Sequence, residues 1–449
     1  MTAAVVTGMG AVTPSGLDVA SLWDAVSCGR SAITVLAGPE FDALPVRIGG
    51  QVRGFHTDLE RPLARRLSPV LHWAIAAADQ ALAQTGATVP ASAHHSGEGA
   101  DGDAGEASLP WEPHRVAVIV ATGSGPVDAM QQATRRLDAT GPRAVPLTLA
   151  VHGAPDAAAA LISQRYGITG PAQGVSATCA SGAVALGEGM RRIRHGYADA
   201  VLVVGMEDCL NAVNLASNAN MRALAYGREG DPAGACRPFD RSRNGFVMSQ
   251  GAAAILLESQ DAARARGVRP FAELAGFGAS SDAYHPTAPH PGGRGAAQAV
   301  RDAVTDAGLG TEPDPPAAPG PDAHLRPGVR RPVAGIEHIN AHGTGTPAGD
   351  AAELAAFEAV FGARAGGIPI SATKSSTGHL LGASGVVEAV IAVQTLTHRI
   401  LPPTVNLDDP EFPDWNIVTA PTPADVDVVL STSFGFGGHN AAIVLTRPD

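Results

Sequence analysis

Apolar positions gather into short runs along the chain, with amphipathic stretches between them. Ala3 to Val6, Val116 to Val120, Ala200 to Val204 and Ala252 to Leu257 are bounded by Gly, Asp or Pro and read as buried strands. Helical periodicity marks Leu71 to Leu82, Ala183 to Arg194, Ala351 to Phe361 and Ser384 to Thr397. Strands are expected at Gly335 to Asn340 and, closing the chain, at Ala441 to Leu445. This alternation predicts an α/β protein. Two stretches break the rhythm. Gly86 to Pro113 is rich in Ala, Gly, Ser and acidic residues, and Thr311 to Pro332 carries seven prolines in 22 residues, so both are expected to be exposed, mobile insertions. Each follows a helix and precedes a strand, which hints at a duplicated architecture, although no residue-level repeat is visible.

Composition narrows the function. With 449 residues, 45% of them apolar and 16% charged, the chain can bury a sizeable core as one large domain or two fused ones. A net charge of -12 and no local basic stripe argue against a nucleic-acid partner. Cys28, Cys179, Cys209 and Cys236 form no CxxC pair and no metal-ligand spacing, so no metal is expected and reduced thiols are. The first residues lack a basic n-region, and no apolar stretch reaches transmembrane length, so a cytoplasmic protein that does not engage a membrane is expected. Of the 31 basic residues 30 are arginine, which leaves Lys374 as the sole lysine of the chain and a residue in need of a reason.

The candidate chemistry lies in four glycine-rich segments. In GVSATCASGAVALGEG, Cys179 follows a β-like segment and directly precedes a small-residue helix, where the positive end of the helix dipole favours thiolate. Cys28, Cys209 and Cys236 read instead as small buried hydrophobes. His342 in HINAHGTGTPAGD and His379 in SATKSSTGHLLGASG supply candidate bases, and the second segment also holds Lys374. The backbone N–H groups of STSFGFGGHN could complete an oxyanion hole.

These residues resemble a β-ketoacyl-acyl carrier protein synthase of the elongating Cys-His-His type. VVTGMGAVTPSG, the Cys179 turn, CRPFDRSRNGFV, GFGASSDAYHPTAP, NAHGTGTPAGD, TKSSTGHLLGASG and SFGFGG match the family pattern in order over nearly the whole chain. The resemblance implies a thiolase fold: a five-layer αβαβα sandwich of two similar βαβαβαββ halves, here 1–265 with Cys179 and 266–449 with His342, Lys374 and His379. It implies that Cys179 carries the acyl chain, that the N–H groups of Cys179 and Phe436 form the oxyanion hole, and that Phe436 gates the site. His342 and His379 would promote decarboxylation of a malonyl thioester, with Lys374 organising the site electrostatically. Thr344, Thr346 and Thr287 would bind the phosphopantetheine arm and Asn218 would line the acyl pocket. Asn340, Glu388 and Ser431 would form a buried cluster able to hold a monovalent cation. No other cofactor is implied.

The implied partners are an acyl carrier protein and a second synthase-like subunit, as a homodimer or as a heterodimer with a chain-length-factor-like homologue. Arg65, Arg66 and Arg222 match carrier-docking positions, with solvated arginines as the alternative. Asn244, Ser249, Gln250 and His439 depart from the family pattern, and Asn218 stands where housekeeping members place an aromatic residue. A more polar tunnel fits a type II polyketide or polyene intermediate. The alternatives are a housekeeping fatty-acid elongation synthase and a non-catalytic chain-length factor. A thiolase would need a second cysteine near the C-terminus, where this chain has none, and a coenzyme A-using priming synthase would have asparagine in place of His379.

Overall fold

The computed structural model describes residues 2–88, 108–310 and 335–448. Ten strands make one mixed sheet: β1 (Ala4–Val12), β2 (Val116–Ala121), β3 (Ala172–Val175), β4 (Ala200–Glu207), β5 (Gly251–Ser259), β6 (Ala272–Ser281), β7 (His338–Asn340), β8 (Ile370–Ser371), β9 (Val428–Gly435) and β10 (His439–Thr446). Across the sheet they run β8-β7-β9-β10-β6-β1-β5-β4-β2-β3. Numbered within each set of five, both halves therefore have the order 3-2-4-5-1, with the fifth strand antiparallel to both its neighbours. The two first strands join the halves through Ala4–Val6 against Ala272–Leu274.

Helices fill three layers. α1 (Pro69–Ala83) and α2 (Ala157–Tyr166) cover the outer face of β1–β5, while α4 (Arg294–Asp306) and α5 (Pro347–Phe361) cover that of β6–β10. Between the two sets of strands lie α3 (Ser181–Arg194) and α6 (Ser384–His398). Thirteen of the fifteen residues of α6 are buried, as a helix covered on all sides requires. This is the five-layer sandwich of two similar halves that the resemblance implies.

The expected elements are present, most of them longer than their apolar runs. β1 continues to Val12 through Gly8 and Gly10, glycines that break the apolar pattern but admit the helix above. A Cβ at either would collide with the carbonyl oxygen of Ala81 or Ala77 in α1. The sequence pattern left β6 unassigned for the same reason. Its Gly276 and Gly278 lie under the carbonyls of Ala303 and Ala299 in α4. Gly10 faces Ala254 and Gly278 faces Ala442, and in both ladders the register slips one residue before the first glycine, at Thr7 and at Ala275. A residue-level repeat thus exists, legible only once the strands are in register.

Of the expected insertions, 311–332 and residues 89–107 of the first lie outside the described residues. Residues 108–113, the end of the first insertion, are mostly exposed as expected, with one anchored side chain. Trp111 is buried, donates its Nε1–H to Glu258 at 2.8 Å and packs under the guanidinium of Arg266.

Candidate active site

The two central helices begin side by side. A Cβ on Gly182 in α3 would lie 2.7 Å from the backbone nitrogen of Val386 in α6, so only glycine permits this crossing. Cys179 sits in the turn before α3, 6% exposed, directly after Thr178 at φ +50°. That left-handed backbone costs a non-glycine residue about 1–3 kcal/mol and is held from outside. Thr178 Oγ1 donates to the Phe436 carbonyl at 2.9 Å, and Gly435 leaves the turn room: a Cβ there would stand 3.0 Å from the Cys179 nitrogen.

The backbone N–H groups of Phe436 and of Cys179 itself lie where they favour a charged sulfur. Burial nevertheless pushes the thiol up to about 12, against the opposing pull of Lys374 and of those N–H groups, with the nearby Glu207 carboxylate adding to the rise. The expectation of a ready thiolate is corrected here. The loss of solvation outweighs the helix start, which favours the Cys179 thiol over its thiolate.

His342 and His379 meet edge to face with ring centroids 5.3 Å apart. His342 follows β7. Its backbone N–H donates to Glu353 Oε1 and that of Gly343 to Glu353 Oε2, both at 2.8 Å, so a carboxylate in α5 shapes the turn. His379 lies in the loop before α6. Its N–H donates to the Val247 carbonyl at 2.7 Å and its own carbonyl accepts from the Ser249 N–H at 2.9 Å. Its Nδ1 lies 2.9 Å from Ser384 Oγ. Burial first, then the charge of Lys374, holds both imidazoles well below their ordinary range, so both are neutral at pH 7. Assigning the Ser384 hydroxyl as donor to Nδ1 puts the His379 proton on Nε2, available to a substrate oxygen.

Lys374 is 1% exposed and its Nζ pairs with Glu388 Oε1 in α6. Burial pushes Glu388 up to about 7 against that ammonium. Removing either partner would strand a charge, at a cost of about 3–5 kcal/mol. Asn340 Nδ2 donates to the Glu388 carbonyl at 3.2 Å, and Ser431 is the register partner of Asn340. The four residues are therefore neighbours behind the histidines.

A cavity of about 350 Å³ reaches Cys179, His342 and His379 and is lined by Phe436, Thr287, Thr344 and Thr346. The last two hydroxyls lie 3.2 Å apart. Exposed Arg222 also lines it, whereas Arg65 and Arg66 are exposed beyond the short helix Arg61–Ala64 and do not. Asn218 is outside the lining too. Its Nδ2 donates within the helix Ala212–Asn220 to the Asn214 carbonyl, and Met221 to Ala223, just past that helix, reach the cavity in its place. Cys209 and Cys236 are buried, but Cys28 is exposed at the end of the helix Val19–Ser27 and is not the buried hydrophobe expected.

Sequence reasoning passed over Glu207, Glu353 and Ser384. Glu353 had a signal: a carboxylate in the first turns of a helix that follows a glycine-rich turn answers otherwise unpaired N–H groups. Glu207 ends a strand, where nothing local marks it.

The N-terminal domain model of β-ketoacyl synthase matches residues 1–263 and the C-terminal domain model residues 329–408. The chain belongs to the β-ketoacyl synthase family. The 3-oxoacyl-(acyl-carrier-protein) synthase 2 of Synechocystis sp. is 34% identical over 449 residues, covering 99% of this chain and 97% of that synthase. A solved complex of a type II PKS acyl-carrier protein with its ketosynthase bound to the hexaketide is 25% identical with a TM-score of 0.82, over 100% of both chains. The ishigamide ketosynthase/chain length factor is 27% identical with a TM-score of 0.81 at the same coverage. The chain is a condensing enzyme of the acyltransferase class. Among the described residues no helix is long and apolar enough to cross a membrane.

Proposed function

We propose that this chain joins an acyl group, held as a thioester on Cys179, to a malonyl unit on an acyl carrier protein by decarboxylative Claisen condensation, within a type II polyketide or polyene system. One observation carries the reading: a thiol below two backbone N–H groups shares one cavity with two facing, neutral histidines backed by a buried lysine.

In the first step the Cys179 sulfur attacks the acyl-pantetheine carbonyl, and the N–H groups of Cys179 and Phe436 take the oxyanion. Collapse expels the pantetheine sulfur, which leaves with the proton lost by Cys179. The second step breaks the bond between the malonyl carboxylate and its α-carbon. Carbon dioxide departs, and the electron pair becomes an enolate whose oxygen accepts hydrogen bonds from His342 and His379. The α-carbon attacks acyl-Cys179. Collapse of that adduct expels the Cys179 sulfur as thiolate, which takes a proton from solvent, and the β-ketoacyl thioester is released.

Thr344, Thr346 and Thr287 are assigned to the pantetheine arm and Arg222 to carrier docking. Arg65 and Arg66 would reach a carrier from outside the cavity of their own chain, in a dimer with a second copy or with a chain-length-factor-like homologue. Glu388 Oε2 is buried without a partner, and with the Asn340 and Ser431 oxygens it offers the donor type a monovalent cation takes. Lys374 already balances the carboxylate charge, so no step depends on such an ion. The second reading, fatty-acid elongation, draws on the Synechocystis relative.

Intact-mass analysis after incubation with octanoyl- or dienoyl-carrier protein, then malonyl-carrier protein, tests this. Wild type should gain an acyl mass that the malonyl carrier discharges, and Cys179→Ala should gain none. Preference for the dienoyl chain supports polyene work, and preference for octanoyl supports the second reading. A wild type that loads neither, alone or with a partner subunit, overturns the proposal.

A further inference from the structure

Glu207 ends β4 in the N-terminal half, is fully buried and takes part in neither step above. Its Oε2 accepts the N–H of Gly123 at 2.6 Å and that of Gly382 at 2.9 Å. Its Oε1 accepts the N–H of Ser124 at 3.1 Å and the Thr122 hydroxyl at 3.2 Å. Every partner is a donor, so the side chain is used as an acceptor on both oxygens.

Gly382 belongs to the other half. It lies between His379 and Ser384, the two residues whose side chains pair at 2.9 Å, and follows Leu381 at φ +43°. A Cβ on Gly382 would collide with the Gly123 nitrogen, so the loop is pressed against the turn that Glu207 caps. The His379 backbone is strapped separately to residues 247–249, which leaves the ring and its Ser384 contact as what the Glu207 clamp controls.

We infer that Glu207 is a positioning residue for decarboxylation: it reaches across the halves and holds the 380–383 loop so that the Ser384 hydroxyl fixes the His379 ring. This rests on the proposed role of His379. The Cys179 turn has its own supports. Ser181 Oγ accepts from the Ala177 N–H at 2.8 Å and donates to the Thr178 carbonyl at 2.6 Å, and its contact with the Glu207-held turn is a longer 3.3 Å to the Thr122 carbonyl. Acyl loading and decarboxylation should therefore part company when Glu207 loses its acceptor character.

Glu207→Gln turns one oxygen into a donor that faces N–H groups whichever way the amide is flipped. Two single-turnover rates are read on the full-length protein: acylation of Cys179 from octanoyl-carrier protein by intact mass, and conversion of malonyl- to acetyl-carrier protein without primer. The expected result is loading at or above the wild-type rate with decarboxylation down about 100-fold, the scale of an ångström-level misplacement. Gly382→Ala should give the same split by pushing the loop off the clamp. A parallel fall in both rates makes Glu207 merely structural and overturns the inference, as do two unchanged rates. The wild-type arm is read separately: wild type that loads but forms no acetyl-carrier protein overturns the role of His379, and this inference with it.

Discussion

Five residues (176–180) connect β3 to α3 in the N-terminal half, whereas twelve (372–383) connect β8 to α6 in the C-terminal half. Both helices then open with Ser-Gly and cross at that glycine. The short turn places a thiol under backbone N–H groups, and the long one carries Lys374 and His379 to the same spot. The fourth strands differ in the same complementary way. Glu207 faces Gly251 and Gly435 faces His439, so the two residues hold the same place in their ladders. One strand end reaches with a carboxylate to the loop of the other half, and the other is bare and lets the Cys179 turn of the other half lie against it. The frame is symmetric, and the differences at loops and strand ends bring groups from two equivalent places together at one.

The largest effects test this division of labour. Cys179→Ala should abolish acyl loading. His379→Ala should leave loading intact while decarboxylation falls roughly 100- to 1,000-fold, the cost of losing one donor to a developing oxyanion. If His379→Ala also stopped loading, the two loops would not have separate tasks. Gly435→Ala should do the reverse of Glu207→Gln. Its Cβ would press on Thr178 Oγ1 and the Cys179 nitrogen, lowering loading about 100-fold while acetyl-carrier protein forms at the wild-type rate. Equal losses in both assays would mean that the strand ends are not specialised.

What was legible in the sequence follows the same line. Cys179, His342, His379 and Lys374 stand in local glycine-rich turns whose composition marks them, and the apolar runs mark most of the strands. The register was not legible, because β6 alternates small residues whose purpose is to sit beneath α4, and only pairing with β10 shows that GFG at 276–278 repeats GMG at 8–10. Asn218 was placed by family position along a helix, yet its amide is used within that helix. The resting charge of Cys179 also needed three dimensions, since burial decides it and a helix start alone does not report burial.

Titration contrasts the two loops next. Burial raises the thiol to about 12 and lowers both imidazoles, so near neutral pH Cys179, His342 and His379 are all uncharged, with no thiolate–imidazolium pair. Reactivity of a thiol follows its thiolate fraction, so alkylation of Cys179 by iodoacetamide in the empty enzyme should rise about tenfold per pH unit from pH 6 to 9. The rate would be followed by peptide mass, with Cys28 as the exposed internal reference. A plateau or an inflection near pH 6.5 would show an ion pair and defeat the contrast.

The smallest expected effect concerns the frame itself. Gly10 and Gly278 hold equivalent places under α1 and α4, so Gly10→Ala and Gly278→Ala should destabilise the fold by similar amounts, about 1–3 kcal/mol each for overpacking. Neither glycine has a left-handed backbone, so the loss comes from the helix carbonyl above and is offset by about 0.4–1 kcal/mol gained from a stiffer unfolded chain. Gly230 supplies the reference, because a Cβ there meets nothing within 4 Å, and Gly230→Ala should be neutral or slightly stabilising. Urea denaturation of the three variants measures all of this with the active site untouched. A Gly10→Ala as mild as Gly230→Ala, beside a costly Gly278→Ala, would show that the halves share a strand order without sharing the packing that now makes them look alike.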